Sequence, residues 1–144
     1  MGRIVAVCIS EEKGTEKRDV GACSVTADYG FQGDAHAGSE RQVSLLSAES
    51  VEDFRVRSEG KAKLHPGVFG ENLLTEGLDL RSAAVGDRIL CGEAVLEITQ
   101  IGKKCHKGCR IRETTGECIM PSEGVFARVI KGGLIKRGDE IGYE

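Results

Sequence analysis

The chain has 144 residues, a length that suits one domain over residues 1–144 and leaves little room for a second. Hydrophobic residues make up 40% of the chain but aromatic residues only 4%, so the core must consist of aliphatic side chains. The formal net charge of −3 argues against a general nucleic-acid binder, which usually carries an excess of basic residues.

The N-terminal residues predict a strand without a signal-peptide cleavage site, and no apolar run approaches the roughly 18 residues of a membrane span. We therefore expect a cytoplasmic protein with neither a membrane nor a nucleic acid as partner. Cysteines usually stay reduced in that compartment. Of the six cysteines, Cys8, Cys23 and Cys91 lie in apolar, strand-like sequence and are expected to act as small buried hydrophobic residues.

The first half of the chain predicts short strands separated by loops. Residues 3–10 and 20–27 have the composition of strands, and the charged residues 11–19 between them predict an exposed loop. Residues 29–40 contain three glycines and predict a structured loop, which a strand follows at 41–46.

A helix is predicted to begin after Ser47, because serine caps helix N-termini and acidic residues follow it. It is expected to end near Gly60, before a glycine-containing loop over residues 61–72.

The second half predicts a hairpin, a helix and two final strands. Residues 85–90 and 94–99 are separated by a short gap, and apolar residues alternate in the second of them. Residues 125–131, followed by two glycines, predict a short helix. The strands follow at 134–136 and 140–142.

Together these elements predict a mainly β fold, a closed or partly open β-barrel of short strands with a few small helices. The sequence contains neither a glycine-rich dinucleotide motif nor a P-loop, so no NAD or ATP site is predicted.

The basic segment 102–112 contains the cysteine with the strongest chemical signal, Cys105. Nearby cations lower the pKa of a thiol below its free value of ~8.5 and favour the thiolate, which attacks electrophiles and binds soft metals. Cys105 is therefore the predicted reactive residue, which can attack an electrophile, carry a persulfide or bind a soft metal. The cations predicted to hold an anionic phosphate are Lys103, Lys104, Arg110 and Arg112.

Two alternatives remain open for this segment. The charged residues can form an ordinary solvated surface with an incidental cysteine. Alternatively Cys105, His106, Cys109 and Cys118 supply soft ligands for zinc, although their spacing differs from that of zinc ribbons. Without a metal, Cys109 or Cys118 is the candidate resolving or auxiliary thiol for Cys105.

Two further polar groups are less specific. Asp34, His36 and Arg41 lie in or next to a glycine-rich loop, where a histidine can act as a general base, ligand or cofactor clamp. The same residues can equally form a turn held by bonds from Asp34 to the backbone. His65 and the pair Glu71–Asn72 form the other group, which is ambiguous by itself.

Taken together and in order, these motifs resemble those of the MOSC domain family, in particular its short, stand-alone bacterial members. The matching stretches are 33–38 (GDAHAG), 41–46 (RQVSLL), 66–73 (PGVFGENL), 85–89 (VGDRI) and 96–100 (LEITQ), with Cys105 just beyond. The resemblance covers nearly the whole chain and implies a β-barrel-like fold.

The resemblance also implies functions for individual residues. Cys105 matches the family's functional cysteine, which ligates molybdenum of a pterin cofactor in the molybdenum enzymes and is proposed to carry sulfur in cofactor sulfurases. The residues implied to line a cofactor pocket are Asp34, His36, Arg41, Gly70, Glu71 and Asn72.

We therefore expect a molybdenum (or tungsten) pterin cofactor bound through Cys105. The alternatives are a persulfide carrier that receives sulfur from a pyridoxal-phosphate-dependent cysteine desulfurase, and a non-catalytic anion-binding or small zinc protein. The expected partners are such a desulfurase, or proteins that make or use the molybdenum cofactor. Since the chain lacks the larger modules of the better-studied members, redox turnover is expected to need a partner.

Overall fold

The computed structural model describes residues 2–12, 16–57, 64–102 and 124–144. These residues form eleven strands and one helix. The elements in chain order are β1 Gly2–Ile9, β2 Arg18–Asp19, β3 Ala22–Thr26, β4 Gly30–Phe31, β5 Val43–Ser47, α1 Ala48–Arg57, β6 Leu73–Glu76, β7 Arg88–Cys91, β8 Ala94–Ile101, β9 Val125–Lys131, β10 Gly133–Lys136 and β11 Glu140–Tyr143.

Seven of the strands close into a barrel. Their order is β11-β7-β8-β9-β5-β6-β1, and the first residues of β1 pair back with β11, with Gly2 opposite Ile141. The pair β5–β6 is parallel and the other pairs in the barrel are antiparallel. Strand β2 pairs antiparallel with the end of β1, while β10, β3 and β4 form a separate small sheet. The predicted β-barrel is thus confirmed.

The barrel interior is filled by aliphatic side chains, as the composition requires. Leu45, Leu73, Leu96 and Ile98 have no solvent exposure. In strand β8 the buried residues Leu96 and Ile98 alternate with half-exposed ones. The strand pairs with β7 across a two-residue turn. The predicted hairpin is therefore confirmed.

Helix α1 covers part of the outer barrel surface. Its N-terminus is capped as predicted, because the Ser47 hydroxyl accepts a hydrogen bond of 3.1 Å from the Ser50 backbone N–H. Phe54 packs edge-to-face on Phe69 with ring centroids 5.3 Å apart, in a cluster with Phe126 and other apolar residues. The predicted end of the helix near Gly60 lies outside the described residues. Within the described ranges, no helix has the length and apolarity needed to cross a membrane.

The helix predicted at 125–131 is wrong, because these residues form strand β9 between β5 and β8. Val125 and Ala127 pack into the barrel core, whereas Phe126 belongs to the cluster under α1. Burial on both faces removes the alternation by which a strand is recognised in a sequence. Gly132 and Gly133, which follow β9, connect the barrel to strand β10 of the small sheet and do not end a helix.

The exposed loop predicted over residues 11–19 is also wrong in part. Arg18 and Asp19 form β2, and Lys17 just before them is only 2% exposed. The Lys17 backbone N–H donates to the Gly67 carbonyl at 2.8 Å, so residues 16–19 pack beneath the loop that precedes β6. Gly67 has a φ of +93°, and a Cβ atom there would overlap the Lys17 carbonyl oxygen.

We predict that Gly67→Ala destabilises the protein far more than Gly70→Ala. Both glycines have a positive φ, which costs a residue with a side chain about 1 kcal/mol or slightly more. A Cβ on Gly70 meets nothing within 4 Å, whereas one on Gly67 meets backbone atoms of Lys17. We expect losses of about 1 kcal/mol for Gly70→Ala and about 3 kcal/mol or more for Gly67→Ala in urea unfolding. Equal losses in the two variants would show that this backbone contact is unimportant.

Candidate functional site

A buried ion pair anchors the polar group found around the end of β1. The Lys17 ammonium lies 2.6 Å from Asp34 Oδ1, and the exposed fractions of the two side chains are 1% and 0%. Lys17 precedes β2, and Asp34 lies in the turn after β4. Asp34 is among the site residues predicted from the sequence, whereas Lys17 is not.

Asp34 accepts hydrogen bonds from several parts of the chain. Oδ1 also accepts from the Ser10 backbone N–H at 3.1 Å, and Oδ2 accepts from the His36 backbone N–H at 3.2 Å. Burial by itself would raise the pKa of Asp34, but the Lys17 ammonium and the two backbone donors outweigh it and lower the pKa. Asp34 is therefore a carboxylate whose oxygens both hold the fold in place.

His36 belongs to the same network. Its Nδ1 atom lies 3.2 Å from Lys17 Nζ and 3.9 Å from Asp34 Oδ2, and its side chain is 31% exposed. The structure thus brings Asp34 and His36, two residues selected from the sequence, into one cluster with Lys17.

Arg41 lies on the outer face of the barrel, next to the described flanks of the basic segment. Its Nε donates to Gln100 Oε1 at 3.2 Å, and its guanidinium lies over the Phe126 ring, 5.6 Å from the centroid. In the part of the chain that the structure describes, its terminal nitrogens carry no hydrogen bond. Arg41 is thus held in place through Nε and the face of its guanidinium.

The residues that flank segment 103–123 are hydrogen bonded to each other and linked to Arg41. The Gly102 N–H donates to the Gly124 carbonyl at 2.7 Å, and Gln100 Nε2 donates to the Gly102 carbonyl at 2.7 Å. The chain therefore leaves β8 and returns to β9 beside Arg41. The predicted residues that lie outside the described ranges are Cys105, Cys109, Cys118, Lys103, Lys104, Arg110 and Arg112.

Glu71 is buried inside the loop that precedes β6. The carboxylate is 1% exposed and accepts from the backbone N–H groups of Gly67 at 2.8 Å and Phe69 at 3.2 Å. Burial raises the pKa of Glu71 to about 7, although both backbone bonds act in the opposite direction. Its described bonds therefore hold the turn of its own loop.

Asn72 connects three parts of the barrel. Its Oδ1 accepts from the backbone N–H of Ser44 at 3.0 Å and from the Ser44 hydroxyl at 3.2 Å. Its Nδ2 donates to the Cys8 carbonyl at 3.0 Å. These contacts support the start of β6, and the contact of Glu71 and Asn72 with a cofactor stays a prediction.

The thiols of the described residues do not suit nucleophilic chemistry. Cys8 and Cys91 are fully buried, as expected, whereas Cys23 is half-buried. Burial raises the pKa of all three thiols, that of Cys91 to about 12. Among the described residues no group of three or more His, Cys, Asp or Glu side chains is placed to hold a metal ion.

Lys17 and Gln100 are site residues that the sequence motifs do not predict. Lys17 lies in a run of charged residues in which nothing distinguishes it from its exposed neighbours. Gln100 follows the alternating part of β8, where a polar residue is ordinary. Each is recognised as a site residue only in the folded structure, where Lys17 contacts Asp34 and Gln100 contacts Arg41.

We predict that Glu71 makes the protein less stable as the pH rises from 4.5 to 7. An acid whose folded pKa exceeds its ordinary value of 4.5 gives its full stabilisation below that value, and this is lost as the pH rises through the folded pKa of about 7. The loss should be about 3 kcal/mol in urea unfolding.

Glu71→Gln should remove most of this slope, whatever its effect at pH 4.5, because glutamine does not titrate. The informative quantity is the difference between the pH profiles of the two proteins. A variant whose profile keeps the wild-type slope would assign the effect to another group.

Two curated proteins are similar to this chain in sequence, at modest identity. A reductase from Gibberella moniliformis is 28% identical over an alignment of 132 positions, and the alignment covers 83% of this chain and 23% of that protein. The uncharacterized protein YflK of Bacillus subtilis is 26% identical over an alignment of 144 positions, and the alignment covers 90% of this chain and 62% of YflK. The chain thus spans less than two thirds of the length of either relative.

Solved structures share the fold over the whole chain. The YuaD protein from Bacillus subtilis superposes with a TM-score of 0.81 at 20% identity, covering 98% of this chain and 94% of YuaD. YiiM from Geobacillus stearothermophilus gives a TM-score of 0.76 at 19% identity, covering 100% of this chain and 75% of YiiM. At these identities the likeness shows the fold alone.

The sequence model of the MOSC domain matches residues 32–142, which is most of the chain. The matched range includes Asp34, His36, Arg41 and Cys105 but begins after Lys17. With the barrel fold and the order of the motifs, this match shows that the chain belongs to the MOSC domain family.

Proposed function

We propose that this MOSC-domain protein binds a molybdenum (or tungsten) pterin cofactor, with Arg41 on an anionic group of the cofactor and the Cys105 thiolate as metal ligand. The observation that carries the proposal is the guanidinium of Arg41, fixed by Gln100 and Phe126 beside the flank of the Cys105 segment.

The charges of the described residues support an anionic ligand at this place. Lys17 is neutralised by Asp34, whereas Arg41 has no carboxylate partner among the described residues. A guanidinium binds phosphate oxygens through two parallel hydrogen bonds, and fixing it in advance lowers the entropy lost on binding. Arg41 therefore suits the phosphate of a pterin cofactor.

The donor set of the basic segment supports the metal part of the proposal. A thiolate is a soft ligand that suits a heavier transition metal. Lys103, Lys104, Arg110 and Arg112 would add positive charge around the phosphate and favour the ionised form of Cys105. When bound, the cofactor would supply two-electron redox or oxygen-atom transfer chemistry at its metal. The residues of this chain would bind the cofactor and orient it.

The proposed partners follow from this assignment. A protein that makes the cofactor would deliver it, or a target enzyme would receive it. A pyridoxal-phosphate-dependent cysteine desulfurase becomes the partner if Cys105 carries sulfur instead.

We predict that Cys105→Ser prevents incorporation of molybdenum. The serine hydroxyl is a harder donor that stays protonated at neutral pH, so the metal loses its thiolate ligand. The protein should be produced in a host that makes the cofactor, and molybdenum and pterin should be measured per chain after anaerobic purification. Cys23→Ser is the matched control, because Cys23 is a half-buried thiol on β3.

The outcomes separate the candidate functions. Molybdenum retained in Cys105→Ser would reject metal ligation by this residue. One added sulfur atom on Cys105 after incubation with a cysteine desulfurase, detected by mass spectrometry in protein without molybdenum, would favour the sulfur carrier. Stoichiometric zinc in freshly purified protein would favour a structural metal site.

We predict that Arg41→Gln weakens cofactor binding by about tenfold or more, because hydrogen bonds between charged groups contribute about 1.5–3 kcal/mol. The free energy of unfolding should change little, since Arg41 is exposed. Arg3→Gln is the control, because it removes an exposed arginine that pairs with Glu76. Affinity can be measured by quenching of pterin fluorescence. Equal affinities for both variants would remove Arg41 from the binding site.

A further inference from the structure

We propose that Lys17 is a positioning residue that fixes His36 as the neutral tautomer with its proton on Nε2. His36 is then a hydrogen-bond donor to an anionic ligand, and neither a general base nor a metal ligand through Nε2. The donor role rests on the proposed cofactor function, whereas the tautomer itself does not.

The ammonium of Lys17 has three protons and three neighbours. Its Nζ atom lies 2.6 Å from Asp34 Oδ1, 3.2 Å from Ser10 Oγ and 3.2 Å from His36 Nδ1. An ammonium group donates only, so each of these three atoms must accept.

The first two neighbours are consistent with that assignment. Asp34 is a carboxylate and accepts only. Ser10 uses its own hydroxyl proton for the Glu12 carbonyl oxygen at 3.1 Å, which leaves a lone pair on Oγ for Lys17. The third proton of Lys17 is therefore directed to His36.

The Nδ1 atom of His36 must carry a lone pair, because a protonated Nδ1 would place two donors 3.2 Å apart. Asp34 does not compete for this atom. Its Oδ2 is 3.9 Å from Nδ1, beyond hydrogen-bond distance, and already accepts from the His36 backbone N–H. The charge of the ammonium also disfavours a second positive charge on the ring. His36 is thus neutral with its proton on Nε2.

This tautomer decides what His36 can do. Its one ring lone pair is engaged by Lys17, so Nε2 can neither take up a proton nor bind a metal ion. Nε2–H would donate to a phosphate oxygen of a bound cofactor. Of the roles considered from the sequence, the cofactor clamp is the one that this geometry supports.

Nitrogen-15 NMR of the ring atoms in the wild-type protein tests the tautomer directly. For His36 we expect the shift of an unprotonated nitrogen at Nδ1 and that of a protonated nitrogen at Nε2 at neutral pH. His65 is an internal contrast, because its Nδ1 is 2.9 Å from the Pro66 carbonyl oxygen and its Nε2 is 3.3 Å from Glu16 Oε2. Its Nδ1 should therefore be protonated. A protonated Nδ1 in His36 overturns the proposal.

Two variants test whether Lys17 is the cause. Lys17→Met removes the donor, and Nδ1 should then gain a proton that faces Asp34. Ser10→Ala removes another neighbour of Lys17 and should leave the tautomer of His36 unchanged. An unchanged tautomer in folded Lys17→Met overturns the positioning role. If that variant does not fold, Lys17→Met combined with Asp34→Asn removes both buried charges. Part of the His36 population should then carry its proton on Nδ1, and a wild-type Nδ1 shift in this double variant overturns the positioning role.

The donor role has a separate test. Glutamine offers an N–H donor and leucine does not, so His36→Gln should keep cofactor affinity within about threefold while His36→Leu loses about tenfold. Equal losses in the two variants overturn the donor role. If the wild-type protein shows the expected tautomer but binds no cofactor, only the proposed function fails.

Discussion

The buried ion pair between Lys17 and Asp34 is the contact on which the arrangement of the site depends. Removing two charges from water is costly, and the cost is offset only when both charges keep their hydrogen bonds. Here the ammonium has three acceptors and the carboxylate also accepts from Ser10 and His36. These bonds join the end of β1, the segment before β2 and the turn after β4. Movement of any one of these segments would break at least one hydrogen bond to a buried charge.

The same segment supports the rest of the site through its backbone. Lys17 bonds to Gly67, and Glu71 holds the turn that contains Gly67. From that turn the apolar side chains of Val68 and Phe69 continue to Phe126, over which Arg41 lies. A polar network and an apolar cluster therefore meet in the loop before β6. The polar network fixes the position of His36, and the apolar cluster fixes that of Arg41.

The sequence predicts those parts of the molecule in which local pattern and tertiary environment agree. The hairpin of β7 and β8 is predicted because β8 has one buried face and a short turn precedes it. Strand β9 was predicted as a helix because the barrel and the cluster under α1 bury both of its faces. Asp34, His36 and Arg41 could be selected from their motifs. Lys17 could not, since only its distant partners distinguish it from the charged residues around it.

The net charge of the site follows from which of its charges are compensated. The charges of Lys17 and Asp34 cancel and a neutral His36 adds none, so Arg41 supplies the net positive charge of these four residues. One exposed guanidinium holds an anion weakly in water, because solvent and salt screen it. The basic residues of segment 103–123 follow Gly102 in the sequence, and Gly102 is linked to Arg41 through Gln100. An anionic cofactor held jointly by Arg41 and that segment would account for a concentration of positive charge in a chain that is acidic as a whole.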